Sequence, residues 1–184
     1  MLRRLFLLIS FAALAACAGG GDVVLTRAAM SPTYNSSELG YAAEGGALRV
    51  VIVGEPFDVE RAVFERAVTD AMAGRNWGPE VAFTTNPGPG AREAYRAVMI
   101  FNPPTGLIGE QICRTDPPEV TPGAGGGGEL VLFGVFCRSE GFLTQIQGTV
   151  RGATGPDDPL FHELVGQATQ ALFPPRRRVR PKMD

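Results

Sequence analysis

The residues most often at the centre of covalent or metal chemistry are scarce in this 184-residue chain: one histidine and three cysteines, with no Cys-x-x-Cys pair. A Ser-His-Asp triad or a Cys-His couple would have to recruit His162, because the base in such a site must be an imidazole held against its nucleophile. His162 falls early in an apolar-striped segment beside Glu163, where an ordinary surface position accounts for it. A four-ligand zinc site would need carboxylates to complete the set. The run Gly123 to Gly128 suggests a phosphate-binding loop, yet it lacks the lysine and hydroxyl such a loop requires and leads toward a strand. Gly54 alone is not a dinucleotide fingerprint. Asp157 and Asp158 stand just ahead of Pro159, a placement that helix capping explains. No nucleophile, base, metal set or cofactor cradle can be assembled, so the reading is of a protein that is not an enzyme and carries no cofactor or metal.

The amino-terminal end carries more information. Arg3 and Arg4 precede an apolar run from Leu5 to Ala16 broken only by Ser10. A stable membrane span needs roughly twenty residues, and this run is too short. Positive end, apolar middle and small residues at the close are the layout of a secretory signal. The closing residues Leu14, Ala15, Ala16 and Cys17 resemble the bacterial lipobox, the mark of lipoprotein precursors. The resemblance implies cleavage before Cys17, diacylation of its thiol and acylation of the new amino terminus. Several chains matter, since one acyl chain holds a protein at a bilayer only marginally. The resemblance further implies, from Ala18 standing where such lipoproteins carry an aspartate for inner-membrane retention, the periplasmic face of the outer membrane as the destination. The competing reading is a plain secretory signal with an Ala-x-Ala cut, which leaves Cys17 incidental.

With Cys17 taken by lipid, Cys113 and Cys137 remain as an even pair in an exported, oxidising compartment, and a disulfide is expected. Closing a loop of roughly twenty-five residues would stabilise the fold by about 3.5 kcal/mol in the chain-entropy view. A metal site or a redox pair is the alternative. Each of these cysteines is followed by arginine. If the two cysteines face each other on paired strands, Arg114 and Arg138 become diagonal neighbours about 7 to 8 Å apart on the opposite face. Two guanidinium groups there could clamp a carboxylate or phosphate. Alternatively Glu110, Glu129 or Glu140 neutralises them as surface pairs of little energetic weight.

A second basic feature is the end of the chain, where Arg176, Arg177, Arg178, Arg180 and Lys182 stand against Asp184. The formal net charge of -2 therefore hides an acidic body and a basic tail. Such a tail suits anionic phospholipid, lipopolysaccharide phosphate or peptidoglycan carboxylates, or simply keeps the chain end solvated. Nucleic acid is the wrong partner for this compartment.

The elements that would position these residues follow from apolar periodicity. Residues 1–16 are the signal, and 17–46, small and polar, read as a lipidated flexible tether whose end Tyr34, Leu39 and Tyr41 dock. Leu48 to Val53 is a β-branched run suited to a strand buried on both faces. Asp58 is placed to cap the next helix, with Glu60 in its first turn and a stripe of Val63, Phe64, Ala67, Val68, Ala71 and Met72 before Gly74 stops it. Strands are expected at Val81 to Thr84, Tyr95 to Phe101, Leu130 to Cys137 and Leu143 to Val150, with a short segment near Ile108 to Arg114. The proline- and glycine-laden stretch Asp116 to Gly128 reads as a mobile surface loop. A last helix starts at Pro159 and lays Phe161, Leu164, Val165, Ala168 and Leu172 on one face before Pro174 and Pro175 end it.

Strands grouped between two helices predict an α+β domain over 47–173: a mixed sheet of four or five strands with both helices on one face. Residues 174–184 are expected to form a disordered basic tail. This element order resembles small envelope lipoproteins, such as the assembly lipoprotein of lipopolysaccharide transport and the auxiliary lipoproteins of lipid-trafficking ABC systems. The resemblance implies a membrane-anchored binding or assembly module that joins an envelope protein complex or an anionic envelope polymer, or serves an envelope lipid or polysaccharide transporter.

Overall fold

The structure is a computed structural model and describes residues 23–123, 125 and 127–175. Ten elements follow one another: β1 (Val24–Met30), α1 (Ser37–Ala42), β2 (Ala47–Val53), α2 (Arg61–Met72), β3 (Ala82–Thr84), β4 (Tyr95–Phe101), α3 (Gly109–Cys113), β5 (Glu129–Arg138), β6 (Gly141–Arg151) and α4 (Pro159–Leu172). The α+β class is as the sequence predicts. The described sheet has six strands in the order β1-β6-β5-β4-β2-β3, one or two more than expected, and four helices where two were expected.

The sheet is mixed. The strand β2 runs parallel to both β3 and β4, while the long pairings β4/β5 and β5/β6 are antiparallel. The parallel step from β2 to β3 needs a crossover, and α2 supplies it. On one face α1, α2 and α4 bury Leu39, Phe64, Val68, Phe161, Leu164 and Leu172 against Leu48, Val50, Met99, Leu132 and Phe136 of the strands. The aromatic contacts knit this layer: Phe64 meets Phe101 edge-on at 5.0 Å and Phe136 meets Phe173 at 5.1 Å. The opposite face is covered by α3, whose Ile112 and Cys113 pack on Val98, Ile100, Phe133, Val135 and Cys137.

Four expectations need correction. From Val24 onward the expected tether is structured: β1 pairs antiparallel with β6, and α1 buries Leu39 and Ala42. As an edge strand β1 is exposed along nearly its whole length, so its Ala and Thr residues carry no apolar alternation to betray it. Second, Asp58 caps nothing. The helix α2 begins at Arg61 with no side-chain cap, and Arg61 instead reaches back to the Ile52 carbonyl at 2.6 Å and pairs with Glu65. Third, β2 is fully buried on one face only; on the other, Val51 and Val53 are half-buried against the cluster that holds Val98, Ile100 and Ile112. Fourth, Val63, assigned to the inner stripe, points to solvent at 47% exposure. The last helix matches its expected start closely: Asp158 accepts from the Leu160 amide at 2.9 Å and Pro159 opens the first turn.

Candidate functional site

Cys113 and Cys137 are joined by a disulfide with a Cα separation of 5.5 Å. Only Cys137 comes from a strand, however. Cys113 ends α3, so the bridge staples a short helix onto β5 instead of linking two paired strands. That difference removes the premise of the arginine clamp. Arg114 is the exposed C-cap of α3 on one side of the sheet. Arg138 points to the α1 side, where it donates to Glu38 at 2.7 Å. Its neutralising acid is thus a residue 100 positions earlier, and none of Glu110, Glu129 or Glu140. Glu129 pairs with Arg151.

The polar group that forms around Glu38 is the first candidate site. Its carboxylate accepts from Arg138 through one oxygen and from the Tyr95 hydroxyl at 2.7 Å through the other. Burial and that donated bond to Glu38 push the Tyr95 phenol up. Tyr34 is held protonated by burial, with Glu38 adding to it, and its pKa rises to about 12. A cavity of about 690 Å³ opens beside the group, lined by Ser36, Ser37, Glu38, Tyr41, Glu44 and Tyr95. It is an acid with fully committed oxygens among hydroxyls, suited to hydrogen-bonding a polar ligand and lacking a free base.

The second candidate lies on the α3 face. Neighbouring strands β2 and β4 place Arg49 and Arg96 side by side, since Val50 pairs with Ala97 in the register. Arg49 grips Asp116 with two bonds of 2.5 and 3.0 Å. Arg96, only 3% exposed, donates to the carbonyls of Cys113, Thr115 and Ser139 at 2.8, 3.0 and 3.2 Å. Its Nε has no partner and stands 3.8 Å from Asp116. Burial lowers the Arg96 pKa, Asp116 opposes that shift and Arg49 adds to it. The arginine's role is evident from its partners: it fastens the backbone around the disulfide to the sheet. A cavity of about 440 Å³ adjoins, lined by Arg49, Arg92, Glu93 and Asp116, with the two signs balanced. Arg92 is committed to Glu44 and stacks 3.7 Å over the Tyr41 ring.

The remaining predicted positions separate into two groups. His162 is partly exposed, packs edge-on against Phe161, and has no acid or hydroxyl partner among the described residues. Of the glycine-rich run, Gly123 donates its amide to the Asn102 carbonyl at 2.7 Å, and Gly127 and Gly128 adopt positive φ before β5. Cys17 and the residues Arg176, Arg177, Arg178, Arg180 and Lys182 lie outside the described residues. Sequence reasoning missed Glu38, Arg96 and Asp116. Arg96 did carry a signal, since an arginine as the second residue of an otherwise apolar strand must find acceptors. Among the described residues no three His, Cys, Asp or Glu side chains gather closely enough to hold a metal. No protein-family model, curated protein or solved structure matches the chain.

Proposed function

We propose that the chain is a cell-envelope lipoprotein, anchored by acyl chains on Cys17, whose α+β body is a non-catalytic binding or assembly module at the periplasmic face of the outer membrane. The carrying observation is the division of labour among the three cysteines. Two are bonded to each other in the fold, which suits an oxidising compartment. The third ends a signal-like segment in the lipobox-like sequence Leu14-Ala15-Ala16-Cys17. A cavity of about 690 Å³ beside Glu38, Tyr41 and Tyr95, lined by hydroxyls and carboxylates, supports the binding role.

The test is intact-mass spectrometry of the mature protein from membranes, with a Cys17→Ser comparison. The reading expects a polypeptide beginning at residue 17 with the mass of two or three acyl chains, and a Cys17→Ser form without them. A mature chain cut elsewhere, or beginning at an unmodified Cys17, refutes it.

A further inference from the structure

We infer that the β1 edge of the body is the surface that lies against an anionic lipid bilayer. This rests on the lipoprotein reading above and adds an orientation and a lipid partner to it.

The first support is the length of chain outside the fold and where it joins. With β1 folded into the sheet, only Ala18 to Asp22 separate Cys17 from Val23. Those peptide units span at most about 20 Å when fully extended. A link that short keeps the Val24 end of β1 close to the headgroups. The last described residues, Pro174 and Pro175, lie at the other end of the same strand. There the Tyr34 hydroxyl donates to the Pro174 carbonyl at 2.9 Å, and Ala29, Met30, Tyr34, Ala171 and Pro174 line one groove of about 570 Å³. The seven residues of β1 set these two points about 20 Å apart along one edge. The basic stretch that starts at Arg176 follows two residues after Pro174.

The second support is charge. Three segments build this edge: 23–37 with β1, 141–156 with β6, and 164–175 with the carboxyl-terminal half of α4. None of the chain's 19 acidic residues falls in them; their charged side chains are Arg27 and Arg151, the latter paired with Glu129 of the neighbouring β5. Carboxylates crowd the remainder of the body instead. An acid-free edge that also exposes Val24 at 52% and Met30 at 42% complements a negatively charged interface with an apolar layer beneath. A protein partner adding a strand here would need an unbroken backbone ladder. The register slips between Thr26 and Ala29, and Arg27 sits at φ 52°, which interrupts that ladder.

Trp77 provides a built-in control. It precedes β3, the opposite edge of the sheet, and is 52% exposed. Five inter-strand spacings place the two edges about 24 Å apart. The experiment uses the full lipidated chain in vesicles of phosphatidylglycerol and phosphatidylethanolamine with brominated acyl chains, reading tryptophan emission. In a Trp77→Phe background, Met30→Trp and, separately, Val24→Trp are expected to lose emission to the bromines. Trp77 of the unsubstituted protein is expected to keep its emission. If both edge reporters stay bright in protein that still floats with the vesicles, the orientation is wrong while the anchor stands. Equal quenching of Trp77 likewise overturns the orientation. Protein that neither floats nor carries acyl mass overturns the lipoprotein reading, and the orientation with it.

Discussion

Replacing Arg96 by methionine removes a cation from the interior, and the contacts of that cation set the cost. Its bond to the Cys113 carbonyl is buried, and leaving that acceptor without a donor costs about 1 to 3 kcal/mol. The Thr115 and Ser139 carbonyls are only partly buried and recover water, so each loses about 0.5 to 1 kcal/mol. Set against this is relief from desolvating a guanidinium whose Nε is unpartnered. Asp116 keeps its two bonds from Arg49 and is not orphaned. The net expectation is a destabilisation of about 2 kcal/mol, within the usual range for a single substitution and below the cost of orphaning a buried charge, since no charge is left unpaired. Urea unfolding of the oxidised protein followed by far-ultraviolet circular dichroism measures it. With a slope of about 1.5 kcal/mol per molar, the midpoint should fall by roughly 1.3 M. An Arg96→Met protein as stable as the parent, or more so, would show that the buried guanidinium is a net burden and that the disulfide segment needs no such fastening.

Other outcomes follow from the same contacts. Replacing Cys113 and Cys137 together by alanine should lower the unfolding free energy by about 3 kcal/mol, read as a midpoint shift that reductant reproduces in the parent and not in the variant. Asp158→Ala should cost about 1 kcal/mol as a lost helix cap. The Asp158 carboxyl is held below its ordinary value by the amides of Thr154 and Leu160 and by the Thr154 hydroxyl. A depressed folded pKa stabilises above the unfolded value and is lost as pH falls through the folded one, so parent and Asp158→Ala should converge in acid. Removing Arg176 to Asp184 from a Cys17→Ser form should abolish salt-sensitive association with anionic vesicles, since each basic side chain near such a surface contributes about 1 kcal/mol. Equal binding with and without that stretch in a flotation assay would reject the role given to it.

The parts of the fold that the sequence reveals are those whose pattern is enforced by burial on a regular face. Leu164, Val165, Ala168 and Leu172 recur at helical spacing because α4 covers the sheet centre, and Tyr95 to Phe101 is apolar except for Arg96 because both sides of β4 are covered. What stayed hidden is held by contacts without period. The strand β1 lies at an edge with nearly every side chain exposed, so nothing in Thr26, Ala28 or Ala29 distinguishes it from a linker. The arginine pair failed for a related reason. Period-two reasoning is sound only on a strand, and Cys113 closes a helical turn that is too short to show a stripe. Arg138 found Glu38 across 100 positions, a pairing fixed by the docking of α1 and invisible to local spacing.

If the chain is exported as proposed, the placement of β1 also bears on the order of events. The residues that emerge first, Val24 to Met30, find their partners in Thr144 to Thr149, more than a hundred positions later. That pairing cannot form until its distant partner residues have followed, and long-range pairing of this kind slows folding. A lipoprotein segment adjoining the acylated residue would thus be available to the modifying enzymes while the rest of the chain is still threading through. Maturation and folding would then proceed in sequence, with no competition for the same stretch of backbone.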